Sequence, residues 1–145
     1  MRLKSWVLSF FSQDSRLAPH KKMKILFVED EPSLQRILSQ AFEKEGFSIL
    51  QAYDGERGLQ LARDAKPDLI LLDLILPKKD GFTVLAELKT ADETKNIPVV
   101  VLTNIDKNED IERVLGLGAL TYLVKTNYDL KDIIQKVKKI LGPKA

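Results

Sequence analysis

Continuous apolar runs alternate along this chain with segments whose apolar residues recur at helical spacing. "KILFV" (24–28), "LILL" (69–72) and "VVVL" (99–102) are uninterrupted, as strands covered on both faces are. "FSILQA" (47–52) mixes polar and apolar positions and suits an edge strand, and "TYLVK" (121–125) reads as a short fifth strand. Between the runs, Leu34, Ile37, Leu38, Ala41 and Phe42 mark a first helix, and Leu59, Ala62 and Ala65 a second. Phe82, Leu85 and Ala86 mark a third, Ile111, Val114 and Leu115 a fourth, and Leu130, Ile133, Ile134, Val137 and Leu141 a fifth. Gly46, Pro98 and Gly118 fall at the junctions, where breakers belong. Five strands alternating with five helices predict an α/β fold: a doubly wound parallel sheet with right-handed crossovers and helices on both faces.

One residue interrupts this pattern. Asp73 stands inside "LILLDLILP" (69–77), a run that otherwise demands burial. A dry, unpaired carboxylate costs several kcal/mol, comparable to a domain's whole margin of stability. The cost disappears if Asp73 lies at a strand end, because open α/β sheets bind ligands beyond the carboxyl ends of their strands. Strand one ends in Glu29-Asp30-Glu31, strand three at Asp73, strand four at Thr103 and strand five at Lys125. Parallel strands put all of these on one edge. Carboxylates a few Å apart repel by about 4 kcal/mol per pair at 4 Å and an effective dielectric near 20. A hard divalent cation relieves that repulsion, and all-oxygen ligands suit Mg²⁺ or Mn²⁺. Lys125 adds an ammonium and Thr103 a hydroxyl, which together with a metal is equipment for handling a phosphoryl group. An aspartate is a chemically competent phosphoryl acceptor.

Each position also has a purely structural reading. Glu29–Glu31 with Pro32 resembles a helix start, Asp80-Gly81 a turn and cap, Thr103 a cap, and Lys125 a solvated lysine. Asp68 precedes its strand, at the opposite edge of the sheet, and is read as structural. The structural readings fail jointly, since they do not account for four chemistry-bearing residues ending the right strands. As a cation at the mouth of a crevice, Lys125 is expected to add little to stability.

Composition narrows the picture. Hydrophobic residues make up 44% and charged residues 30%, ordinary for a globular protein of 145 residues. With no cysteine, disulfides and thiolate metal sites are excluded, and a reducing, cytoplasmic setting fits. No apolar run approaches the roughly 20 residues of a membrane-spanning helix. The net charge of +2 is unevenly spread: residues 1–22 carry five Lys/Arg against Asp14, and residues 23–145 carry 18 Lys/Arg against 20 Asp/Glu. The globular part is therefore mildly acidic and carries no nucleic-acid footprint. His20 is the only histidine and lies outside the domain, and no Gly-rich phosphate loop is present.

"ILFVEDEPSLQRIL", "PDLILLDLILPKKDGF", "IPVVVLTN" and "LGALTYLVK" resemble, in order and spacing, the receiver domain of two-component response regulators. The resemblance covers residues 23–142, with 143–145 as a C-terminal end. It implies a flavodoxin-like strand order of 2-1-3-4-5, Asp73 as phospho-acceptor, and Glu29 and Asp30 as an acidic pair for Mg²⁺. Asp30 would bind the ion directly and Glu29 through water, with the backbone carbonyl of Ile75 completing the ligands. Thr103 and Lys125 match the switch hydroxyl and phosphate-binding lysine, and Tyr122 the switch aromatic. The donor would be a phosphohistidine on a sensor histidine kinase or histidine phosphotransfer protein. Output would pass to a separate protein through the fourth helix, fifth strand and fifth helix, with no direct contact to nucleic acid.

Three positions depart from the family's pattern. Thr126 follows Lys125 where proline is usual, so a trans bond is expected; Asn104 replaces a small residue after Thr103; Ile75 is apolar. Because the chain stops at Ala145, a stand-alone signalling switch is the expectation. Two alternatives compete. A Mg²⁺-dependent phosphatase with an Asp nucleophile would carry a second Asp where Ile75 stands, and a degenerate docking module would have lost part of the constellation. Residues 1–22 are a basic tail with an apolar stripe (Leu3, Trp6, Val7, Phe10, Phe11) beside Arg2 and Lys4. They read as a disordered or mis-assigned start ahead of Met23, with a docking or membrane-contacting segment as the rival readings.

Overall fold

A computed structural model describes residues 22–142. The strands are β1 (Lys24–Val28), β2 (Ser48–Ala52), β3 (Leu69–Leu72), β4 (Val99–Thr103) and β5 (Thr121–Val124). The helices are α1 (Pro32–Lys44), α2 (Gly55–Ala65), α3 (Gly81–Thr90), α4 (Asn108–Leu117) and α5 (Leu130–Leu141). Every strand pairs in parallel and the sheet order is β2-β1-β3-β4-β5. The edge position expected for the mixed strand "FSILQA" is that of β2, which begins one residue later than the sequence suggested.

Alternation along the strands divides the core in two. Leu26, Val28, Ile70, Leu72, Val99 and Val101 pack with Leu59, Ala62, Val84, Leu85, Leu88 and Val114 of α2, α3 and α4. Their neighbours Ile25, Phe27, Leu69, Leu71, Val100 and Leu102 pack with Leu38, Phe42, Ile133, Ile134 and Val137 of α1 and α5. Apart from Lys24 at the start of β1 and Thr103 at the end of β4, the central strands are thus apolar at every position because each parity meets a different helical layer.

β4 ends at Thr103 as the sequence pattern has it, whereas β5 stops at Val124, one residue short of the expected Lys125. Lys125 opens a 3-10 turn, Lys125–Asn127, so it leaves the sheet plane at the residue where its side chain is needed. No peptide bond among the described residues is cis, which includes the bond between Lys125 and Thr126. Ile37 and Leu115, both assigned to buried helical faces by periodicity, are half exposed. The buried residues of α1 are Gln35, Leu38, Ser39 and Phe42, with Leu34 and Ala41 partly buried against the same core, so two polar residues join the expected face. The basic tail and the C-terminal end lie outside the described residues.

Candidate functional site

Register builds the site. β1 and β3 pair through Val28↔Leu72, so Glu29 and Asp73 occupy the next rung, where the order of strands reverses and a crevice opens. The Asp73 N–H donates to the Val28 carbonyl at 3.1 Å, holding that rung. On the other side, Thr103 pairs with Val124, which sets Lys125 one residue beyond.

The loop after β3 is fixed around Asp73. Oδ1 of Asp73 accepts from the N–H groups of Leu74 at 2.7 Å and Ile75 at 3.3 Å. Asp80 caps α3 by accepting from the Thr83 N–H at 2.9 Å. Gly81 follows because a Cβ there would lie 2.3 Å from the Asp73 carbonyl oxygen, closer than any side chain tolerates. Ion pairs from Lys78 to Asp54 (3.7 Å) and from Lys79 to Glu87 (2.6 Å) tie the same loop to α2 and α3.

Glu29 and Asp73 are buried, at 2% and 5% exposure, whereas Asp30 is exposed. Carboxylate oxygens of Glu29, Asp30 and Asp73 lie within 4.8 Å of one another, so the acidic pair and the aspartate converge as the sequence pattern required. Glu31 takes no part in the cluster; its N–H donates to Glu29 Oε2 at 3.1 Å, and its carboxylate accepts from Ser33 Oγ at 2.8 Å. The cation that meets Asp73 is Lys125. Its Nζ donates to Glu29 Oε1 at 2.5 Å and to Asp73 Oδ2 at 3.0 Å. The side chain is only 18% exposed, which corrects the expectation of an exposed lysine at a crevice mouth. The physical reason is the 3-10 turn, which swings the ammonium back between two buried carboxylates.

Electrostatics follow from this burial. Burial pushes the Glu29 carboxyl above the usual range, opposed by its hydrogen bond to Lys125 and aided by the charge of Asp73. Burial works against the Lys125 ammonium, but the hydrogen bond to Glu29 and the charge of Asp73 outweigh it and raise its pKa. Three carboxylates against one ammonium leave the cluster short of positive charge. Thr103 is fully buried and its Oγ1 has no hydrogen-bond partner. A buried hydroxyl without a partner is uncommon and marks a place where a ligand atom is expected. It caps no helix, since α4 begins at Asn108. Tyr122 donates its hydroxyl to the Ile105 carbonyl at 2.6 Å, tying β5 to the loop that follows Thr103. Burial, then the charges of Asp110, Asp106 and Asp73, push its pKa up to about 12.

The donor set fits Mg²⁺ or Mn²⁺: all-oxygen ligands, a negative surplus and an exposed carboxylate at the rim. One contributor escaped the sequence pattern. Gln35 is completely buried behind Glu29, with its Nε2 on the Glu29 carbonyl. Its place on the Leu38–Phe42 stripe was the available signal.

A family model described as "Response regulator receiver domain" matches residues 25–138. The chain is 37% identical over 122 residues to sporulation initiation phosphotransferase F of Bacillus subtilis, a match covering 84% of this chain and 96% of that protein. It is 38% identical over 118 residues to the DNA-binding dual master transcriptional regulator RpaA of Synechocystis, covering 81% of this chain and 48% of that protein. The chain thus spans about half the length of RpaA and of other curated relatives it matches. Among solved structures, the Mn(2+)-bound form of response regulator Rcp1 superposes with a TM-score of 0.68 at 35% identity, covering 81% of this chain and 91% of that one.

Proposed function

Because the chain belongs to the response regulator receiver domain family, whose members act as phosphorelay switches in two-component systems, we propose that Asp73 accepts a phosphoryl group and that its capture redirects a protein-binding face. The observation that carries this reading is the single ammonium of Lys125 shared by buried Glu29 and Asp73 beside the unpartnered hydroxyl of Thr103.

The roles follow from what each group touches. Two backbone N–H groups orient Asp73 through Oδ1, leaving Oδ2, on the side of Lys125, as the nucleophile. An Oδ2–P bond forms as the N–P bond of a phosphohistidine donor breaks; the electron pair stays on the imidazole nitrogen, which then takes a proton. Asp30 would hold Mg²⁺ directly, with Glu29 through water, Asp73, and the backbone carbonyl of Ile75. The ion would supply charge neutralisation for the transferred phosphoryl oxygens. Lys125 would move from its carboxylate partners to a phosphoryl oxygen, and Thr103 Oγ1 would donate to another. Since Thr103 and Ile105 share one segment, a shift there would be felt by the Tyr122 hydroxyl. That aromatic side chain couples the site to α4, β5 and α5, where Leu115 and Leu120 are half exposed and available to a partner.

The donor would be a sensor histidine kinase or histidine phosphotransfer protein, acting in the cytoplasm. Among the described residues no helix is long and apolar enough to cross a membrane. The intact set of Glu29, Asp30, Asp73, Thr103 and Lys125 favours a working switch over a docking module. The test is direct. The full chain incubated with a small acyl phosphate and Mg²⁺ is expected to gain one phosphoryl group by intact mass, and none once the metal is chelated. Labelling that survives chelation, or no labelling at all, defeats the proposal.

A further inference from the structure

Gln35 lies one turn into α1, at 0% exposure, and its amide faces the carboxyl ends of β1 and β2. Nε2 is within hydrogen-bond distance of three carbonyl oxygens: Phe27 at 2.8 Å, Ala52 at 3.0 Å and Glu29 at 3.1 Å. The Ala52 carbonyl also accepts the Glu29 N–H at 2.9 Å. Where the β1/β2 ladder ends, one side-chain amide replaces the missing rungs. Its own Oε1 finds no partner in the same buried position. An orphaned acceptor is a cost to folding, and an apolar residue of equal volume would avoid it. What the amide holds is the residue whose carboxylate enters the cluster. Glu29 is pinned at its carbonyl by Gln35, at its N–H by Ala52, at Oε2 by Glu31 and at Oε1 by Lys125. Asp30 is the next residue along the same backbone.

We propose that Gln35 is a positioning residue for divalent-cation binding: by holding the Glu29 carbonyl it sets the backbone from which Glu29 and Asp30 present their carboxylates. This inference rests on the acid pair being the metal site. Outer-shell groups that orient ligands characteristically change metal affinity by about 10–100-fold when removed. Gln35 does so from behind the site, through the main chain.

The probe is Mn²⁺ alone, its free aquo ion followed by electron paramagnetic resonance against the full chain. Gln35→Met keeps the length and helix preference while removing the donor, and Phe42→Leu lowers stability from the far end of the same buried stripe. Gln35→Met is expected to weaken Mn²⁺ binding about 10-fold or more, with Phe42→Leu at the wild-type level despite a lower melting temperature. Equal, undiminished affinity in both variants overturns the proposal, and so does a loss in both that tracks their melting temperatures. If Gln35→Met does not fold, the wild-type protein still decides. Its Gln35 side-chain N–H₂ resonances are expected to move on Mg²⁺ titration in step with the Asp30 amide, with those of exposed Gln40 unmoved. Still Gln35 resonances beside a moving Asp30 amide overturn the positioning role alone. A wild-type chain that takes up no Mn²⁺ overturns the metal site, and this inference with it.

Discussion

Two aspartates flank β3, one at each end, and they lead different lives. At the amino edge, Asp68 Oδ2 accepts the Lys24 N–H at 2.7 Å, and the Lys24 ammonium reaches the Ala65 carbonyl. A backbone N–H meets the Asp68 carboxylate there, with no other acid crowding it into a cluster among the described residues. At the carboxyl edge, Asp73 accepts two N–H groups and the Lys125 ammonium, yet Glu29 and Asp30 crowd the same space. Lys125 serves two acceptors at once, and Thr103 Oγ1 has none. Both carboxylates accept backbone N–H groups, so a backbone hydrogen bond does not separate them. The excess of negative charge over cation does.

The comparison breaks most cleanly at the two aspartates themselves. Asp73→Asn is expected to abolish phosphoryl gain from the small acyl phosphate, since an amide is no nucleophile here. Asp68→Asn keeps an oxygen for the Lys24 N–H and should label like the parent. Intact mass of both variants checks this, and equal labelling of the two ends the distinction.

Lys125 sharpens it next. Lys125→Ala leaves Glu29 and Asp73 buried with no cation, and breaking buried pairs in this way is strongly destabilising. Discounted for the lysine's partial exposure, about 2 kcal/mol or about 5–10 °C in Tm should be lost in chelator. Millimolar Mg²⁺ should return a large part of it, because a bound cation replaces the missing one. Calorimetry with and without Mg²⁺ checks both halves; an identical loss in the two buffers would make Lys125 a structural lysine like Lys24.

Much of this edge was legible before any fold was seen, because strand ends are marked by where apolar runs stop. Glu29 with Asp30, Thr103 and Lys125 stand where such runs stop, Asp73 interrupts one, and parallel pairing does the rest. What the pattern hid was the residues whose environment contradicts their type. Gln35 and Ser39 sit on the buried stripe of α1, while Ile37 faces out. Leu34, Leu38, Ala41 and Phe42 do face the core, but hydrophobic periodicity looks for apolar residues, so it added Ile37 and passed over the amide that grips β1. Leu115 misled it in the same manner. The depth of Lys125 was invisible for another reason: a 3-10 turn at a strand end changes a side chain's direction without changing the sequence pattern around it.

Tyr122 offers a smaller probe, by pH. Its pKa is pushed up to about 12 against an ordinary 10.0, and its hydrogen bond to Ile105 requires the proton. A raised folded-state value favours the protonated fold, so the contribution is complete below about pH 10 and disappears as pH rises through about 12. In an ultraviolet titration Tyr122 should ionise about two units above the ordinary value. Tyr122→Phe should remove that late phase and cost about 1 kcal/mol near neutral pH. A late phase that persists in Tyr122→Phe belongs to another tyrosine.

The smallest expected effect concerns how long Asp73 keeps its phosphoryl group. Hydrolysis needs a water in line with the O–P bond, opposite the leaving carboxylate, and orienting that water requires a polar group with fixed geometry. The residue two past Asp73 is Ile75, whose side chain is 61% exposed and carries no such group. An apolar side chain standing in solvent beside the acceptor contributes nothing to the core, so its bulk is free to exclude water. Asn104, also exposed, directly follows the last residue of β4, and its larger side chain is expected to narrow the approach. Slow loss of the phosphoryl group is the expected outcome if Asp73 is the acceptor. Ile75→Asn should hasten phosphoryl loss about three-fold, equivalent to about 0.7 kcal/mol in the barrier. Asn104→Ala should hasten it less, and neither change should alter Tm, since neither side chain is buried. Decay of the phosphorylated mass after removal of donor measures both. A parent that loses phosphate faster than both variants would mean that Asn104 holds the attacking water and that Ile75 is a bystander.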